Sequence, residues 1–214
     1  MIKALVLCLA AAPLAAQIPV TKDKPDYTPP EGWTIRLDDK DAAKSASETR
    51  FVTMGSGFHV TSGPAALYYR SADLVTGPFG VSAGFGQRKA PSHPEAYGVF
   101  IGGRNLATPR QEYFYFLVRG DGKYYVAHRA GTEVHQIVPW TEHEAVNKQN
   151  PAGVASNVVA FDVTADSVHL LANNKRVKSF ARSELHGFQT DGQVGLRVNH
   201  GLDVHIGQFA IRRP

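Results

Sequence analysis

The sequence predicts an all-β protein, two antiparallel sheets packed face to face as a β-sandwich of the jelly-roll kind. Three observations predict it. From Trp33 onward, short apolar and aromatic runs alternate with polar residues at a period of two. Gly, Pro, Asn and Asp punctuate these runs at spacings that suit tight turns. Only residues 39–49, DKDAAKSASET, could form a helical turn or two, and they carry no apolar stripe. Short strands that succeed one another with turns between them suggest an antiparallel sandwich or barrel rather than alternating β and α units.

The elements follow in order. Residues 1–16, MIKALVLCLAAAPLAA, set one early positive charge, Lys3, before an apolar run that ends in small residues. That is the layout of a cleaved secretory signal peptide, although Leu14 stands where a smaller residue is preferred. An uncleaved tether is the competing reading. Cys8, the only cysteine, lies inside this segment and follows bulky Leu7, which argues against a lipid anchor. A mature chain without cysteine has no disulfide, thiolate zinc site or cysteine nucleophile, and export in that form suits a bacterial periplasm or the medium outside the cell. The expected location is therefore secreted or periplasmic. No later stretch is long enough to span a bilayer. Residues 17–32, with Pro19, Pro25, Pro29 and Pro30, read as an extended leader, and residues 33–214 as one domain, a size that buries a single core well.

Within the domain, strands are expected at Trp33–Leu37, Phe51–Thr53, Phe58–Thr61, Ala66–Tyr69, Phe79–Gln87 and Tyr97–Ile101. Tyr113–Arg119 and Tyr124–Arg129 flank Gly120-Asp121-Gly122-Lys123, a strong hairpin signal. Glu133–Val138, Val158–Thr164, Ser167–Ala172, Val177–Phe180, Gln193–Asn199 and Asp203–Ile211 complete the set, with Asn173-Asn174 as a second tight turn. Val159, Phe161 and Val163 share a core face, as do Val194, Leu196 and Val198.

Charge and motifs narrow the function. The formal net charge is +4, and the basic residues fall in short pairs rather than in the stripe a nucleic-acid partner requires. Nine histidines invite a metal reading, but His-Glu-x-x-His is absent because Asn147 stands four after His143. Asp203 and His205 share a strand face and offer only two ligands. The carboxylates Glu95, Glu112, Glu142, Glu144, Asp162 and Asp203 could serve glycoside hydrolysis only as pairs drawn from different strands.

The segments YFYFLVRGDGKYYVAHRAGTEVHQIVPW (Tyr113 to Trp140), NVVAFDVTADSVHLLANNKRVKSF and GQVGLRVNHGLDVHIGQFAI succeed one another in the second half of the chain. This order resembles the concanavalin A-like lectin/glucanase superfamily over residues 95–211, and within it is similar to laminin-G-like modules and 3-keto-disaccharide hydrolase domains. The resemblance implies the jelly roll. It also implies that a structural calcium ion could sit at the sheet edge near the closing strand, with Asp203 as its carboxylate. The Glu-x-Asp catalytic strands of the glucanase members have no counterpart here.

The residues themselves outline a binding face. Tyr113, Tyr115 and Arg119 share one side of their strand, Tyr125 and Arg129 one side of the next, and Arg197 and Asn199 the polar side of another. Aromatic rings stack on the apolar faces of sugars while Arg and Asn meet hydroxyls, so aligned strands would make a carbohydrate platform. The competing reading places the tyrosines in the core. Two loops add candidates: RKAPSHPEA with His93 and Glu95, and PWTEHEAVN with Trp140, Glu142 and His143. Three functions stay open: a non-catalytic module binding a glycan or other small polar ligand, a hydrolase using Glu95 or His143, and a structural or adhesive protein.

Overall fold

The computed structural model describes residues 29–38, 48–185 and 187–214. The expected signal peptide, most of the leader and most of the helix-capable stretch lie outside the described residues.

Fourteen strands follow: β1 (Trp33–Leu37), β2 (Arg50–Met54), β3 (Gly57–Thr61), β4 (Ala66–Val75), β5 (Phe79–Gln87), β6 (Ala96–Arg104), β7 (Glu112–Arg119), β8 (Lys123–Ala130), β9 (Glu133–Glu142), β10 (Ala155–Val163), β11 (Ser167–Ala172), β12 (Lys175–Ala181), β13 (Gly192–Val198) and β14 (Asp203–Arg212). A 3-10 turn spans Arg182–Leu185. The strands form two seven-stranded antiparallel sheets, β1-β4-β13-β6-β7-β8-β9 and β12-β11-β10-β5-β14-β3-β2. The final strand, β14, lies inside the second sheet, paired with β5 on one side and β3 on the other.

The core lies between the sheets. Tyr68, Tyr97, Val99, Phe114, Phe116, Val126, Val194, Leu196 and Val198 of the first sheet meet Phe51, Val60, Phe85, Val159, Phe161, Leu170, Val204 and Ile206 of the second. Alternation delivers these residues to one face, since successive strand side chains point to opposite sides. Phe85 and Tyr97 stack across the interface at 5.0 Å between ring centroids.

All fourteen expected strands form, and several run longer than the pattern suggests. β4 continues past Tyr69 through polar Arg70-Ser71-Ala72-Asp73 because the ladder with β13 absorbs those residues as a bulge. The Arg70 guanidinium donates to both oxygens of the Asp73 carboxylate there, at 2.7 and 3.1 Å. β9 continues through Pro139 because it is an edge strand, where a missing N–H costs no ladder bond.

The outer face of the first sheet departs from the expected alternation. Leu67, Tyr69, Ala96, Phe100, Leu106, Tyr113, Tyr115, Leu117 and Ala127 form a second buried cluster there, flanked by Tyr125 and Trp140. Gly98 sits within this sheet between Arg197 and Leu117. A Cβ at Gly98 would lie 2.0 Å from the Phe116 carbonyl oxygen, so the strands approach this closely only with glycine.

Candidate functional site

The β7–β8 hairpin sets the site. Its register pairs Tyr113 with Arg129, Tyr115 with Ala127 and Leu117 with Tyr125, which puts Tyr113, Tyr115, Arg119, Tyr125 and Arg129 on one face, as the sequence implies. Trp140 reaches the same face by a bulge. Tyr124 pairs with Thr141 and Val126 with Val138, so Pro139 and Trp140 together oppose Tyr125. The Trp140 ring then stacks on Tyr125 at 4.8 Å and 28°. The Arg119 guanidinium lies 4.3 Å from the Trp140 ring centroid, within the reach of a cation–π contact.

Arg197 enters from β13. Its guanidinium donates to the Tyr113 hydroxyl at 2.9 Å and to Asp38 at 2.7 Å. It lies 5.1 Å from the centroid of Tyr115. Burial works against its charge, but Tyr113, Asp38 and Tyr115 more than offset that and hold its pKa above the ordinary arginine value. Burial likewise pushes the Tyr113, Tyr115 and Tyr125 hydroxyls up, so they stay protonated and can donate. Asn199 follows β13, and its backbone N–H donates to Ala96. Two buried polar atoms of this face, Arg197 Nε and Asn199 Oδ1, have no partner among the described residues.

The face divides by depth. Tyr113 and Tyr115 are 1% and 4% exposed, so their rings form a floor rather than a contact surface. Arg119, Tyr125, Arg129 and Trp140 are half-exposed and form the reachable layer.

Arg119 links this layer to a hollow at the sheet end. It binds Asp121 through two nitrogens, each at 2.7 Å. Burial works to raise the Asp121 carboxyl, but Arg119 and Lys123 hold it below its usual value. Asp121 lines a cavity of about 190 Å³ with Gln87, Ser92, His93, Glu95 and Gln149. Glu95 is 8% exposed. Its Oε1 lies 3.0 Å from His200 Nε2 and 3.6 Å from His93 Nδ1, and the two histidine Nε2 atoms are 3.1 Å apart. The sequence singles out His93 and Glu95 as loop residues, and sets His200 only against His205, which falls on the opposite face of an extended chain. Its partners stand more than a hundred positions away, and only the β6–β13 pairing brings them together.

The remaining candidates fall elsewhere. His143 Nδ1 accepts the Ala145 backbone N–H at 3.1 Å, which ties the ring into a turn. Asp203, the carboxylate named for calcium, opens β14. Its two oxygens face His59 Nε2 at 3.2 Å and Lys89 Nζ at 3.6 Å. Glu142 pairs with Lys148, and Glu144 with Lys175. Two hollows of about 420 and 230 Å³ on the outer face of the second sheet share the Asp162–Arg212 ion pair, and their other lining residues carry no charge.

No family model matches the sequence, and no curated protein matches it. Solved structures do match. A carbohydrate binding module, CBM66 from Bacillus subtilis, superposes with a TM-score of 0.62 at 10% identity, over 85% of this chain and 96% of that one. A Bacteroides ovatus mixed linkage glucan GH16 protein, solved in complex with product, gives 0.56 at 10% identity over 86% and 96%. A Bacillus subtilis protein of unknown function with a galectin-like fold gives 0.54 at 9% identity over 84% and 88%. The fold is concanavalin A-like. At these identities the likeness extends to the concanavalin A-like architecture and no further. No helix among the described residues is long and apolar enough to cross a membrane.

Proposed function

We propose that the protein is a secreted, non-catalytic module that binds carbohydrate on the outer face of its first sheet. The layered aromatic–arginine face carries the reading. Tyr125 and Trp140 supply apolar ring surface, Arg119 and Arg129 supply partly exposed donors, and the buried tyrosines with Arg197 hold the floor rigid. Rings plus a few placed donors match the chemistry of a sugar, which alternates apolar C–H faces with hydroxyls. Arg197 Nε and Asn199 Oδ1, which have no partner among the described residues, support it, because buried polar atoms normally have partners. The glycan names carried by the structural neighbours also support it. Arg36 of β1 acts electrostatically on Tyr113, and with Arg119, Arg129 and Arg197 it gives this face positive charge that Asp38 and Asp121 pair with among the described residues, which favours sugars bearing carboxylates.

The test is a melting and titration screen against neutral and uronate-containing oligosaccharides. A ligand at a hundred times its dissociation constant stabilises the fold by about 2.7 kcal/mol, which is readily seen. Trp140→Ala and Arg129→Ala are each expected to weaken binding about tenfold or more while the fold persists. A flat panel, or binding that both variants leave unchanged, would remove the proposal.

The cavity beside Glu95 favours a second reading, a hydrolase. It combines a nearly buried carboxylate with Asp121 in one hollow. Product release from a glycoside, lost in Glu95→Gln, would establish that reading in place of the first.

A further inference from the structure

The geometry points to a second site: His93, Glu95 and His200 form a three-ligand site for a divalent transition metal of the zinc class. Its case is independent of the glycan-binding face.

The placement starts from the backbone. β6 begins at Ala96 and β13 ends at Val198, and these strands pair antiparallel with Val198 opposite Tyr97. The Asn199 N–H donates to the Ala96 carbonyl at 2.9 Å and extends the ladder one step further. Glu95 and His200 are therefore the next residues out on two adjoining strand ends. His93 lies two positions before Glu95, across Pro94, whose ring fixes the local φ.

The side chains then converge. One ligand atom from each residue lies within 4.8 Å of the other two. The His93–His200 Nε2 separation is 3.1 Å and the His200 Nε2–Glu95 Oε1 separation is 3.0 Å. A tetrahedral zinc ion with bonds of about 2.0–2.1 Å sets its ligands about 3.3 Å apart, so these two edges need to open only slightly, while the His93–Glu95 edge, within 4.8 Å, comes to the same value by a turn of the exposed His93 ring. Ser92 Oγ lies 3.5 Å from His93 Nδ1, placed to accept that ring N–H when Nε2 ligates. Two imidazoles and one carboxylate suit zinc, whereas calcium and magnesium take oxygen donors.

The surroundings leave the site open. Glu95 is nearly buried, but the side chains of His93 and His200 are 56% and 51% exposed. Three protein ligands leave a fourth position, and the adjoining cavity with Ser92, Asp121 and Gln149 can deliver water or a ligand oxygen to it.

The experiment is calorimetric titration of the chelator-stripped protein with zinc, together with cobalt substitution read by visible absorption. The expected result is one zinc per chain and an intense cobalt spectrum of tetrahedral type. His200→Ala and His93→Ala should each weaken zinc binding at least about tenfold, with circular dichroism confirming that these exposed positions leave the fold intact. His169→Ala, whose ring bonds Ser179 on the other sheet, should change nothing. Absence of saturable zinc uptake, or uptake that both His93→Ala and His200→Ala leave unchanged, would overturn the proposal.

Discussion

At the scale of single residues, Arg197 shows how this fold manages a buried charge. Its side chain is 9% exposed and that of Asp38 is 17% exposed, and the pair closes at 2.7 Å. Taking two charges out of water is expensive, and the pair is retained because either partner alone would cost more. Asp38→Ala should therefore destabilise the protein by about 3 kcal/mol, at the low end of the range for broken buried pairs because Asp38 keeps some contact with solvent. A shift of the urea midpoint at unchanged slope would show this. An effect below about 1 kcal/mol would mean that water reaches the guanidinium more freely than the packing implies. This pair was not legible in the sequence. Its members are 159 positions apart, and nothing local marks Asp38 as the partner of Arg197. The burial of Tyr113 and Tyr115 was equally hidden, because alternation says which side a ring takes but not whether that side is covered.

At the scale of elements, turns and bulges do the placing. Asn173 and Asn174 join β11 to β12 as a two-residue turn with φ of 51° and 64°. Positive φ at both central positions matches the right-handed strand twist of a hairpin, and asparagine tolerates it. Asn173 has further work, since its amide donates to the Ala145 carbonyl and to Asn157. The Asn174 side chain is exposed and makes no hydrogen bond among the described residues, which makes it the clean position for a test. Asn174→Val should cost about 1–2 kcal/mol, the penalty for a branched side chain in the left-handed region, whereas Asn174→Gly should be close to neutral. Thermal unfolding of the two variants side by side would check both statements. Such turns are legible because Asn, Gly and Asp announce them. The strand pattern was legible for the same reason, since a period of two needs no knowledge of the partner strand. The Trp140 bulge was not. It depends on how β9 registers against β8, and the sequence shows only a proline that would ordinarily end a strand.

At the scale of the whole molecule, pairing between distant segments decides the outcome. β4 pairs with β13, and Ala66 stands opposite Val198. The convergence of His93, Glu95 and His200 belongs to this scale too, because no window of sequence contains it. Within the second sheet, β14 fills the gap between β5 and β3, and Val204 and Ile206 enter the core from it. A chain ending at Gly201 would leave two strand edges unpaired and the core open. Such a truncated form should lose its cooperative thermal transition and its near-ultraviolet dichroism, while a native-like melt would show that β14 is dispensable.

The internal position of β14 also bears on how the protein is made. A growing chain makes β1 to β13 before β14 emerges, so the second sheet stays incomplete until β14 is made. Until then β5 and β3 present open edges for which a chaperone can compete. For the secreted module proposed above this delay is useful, because a translocation channel admits unfolded chain and the domain closes only after β14 has been released.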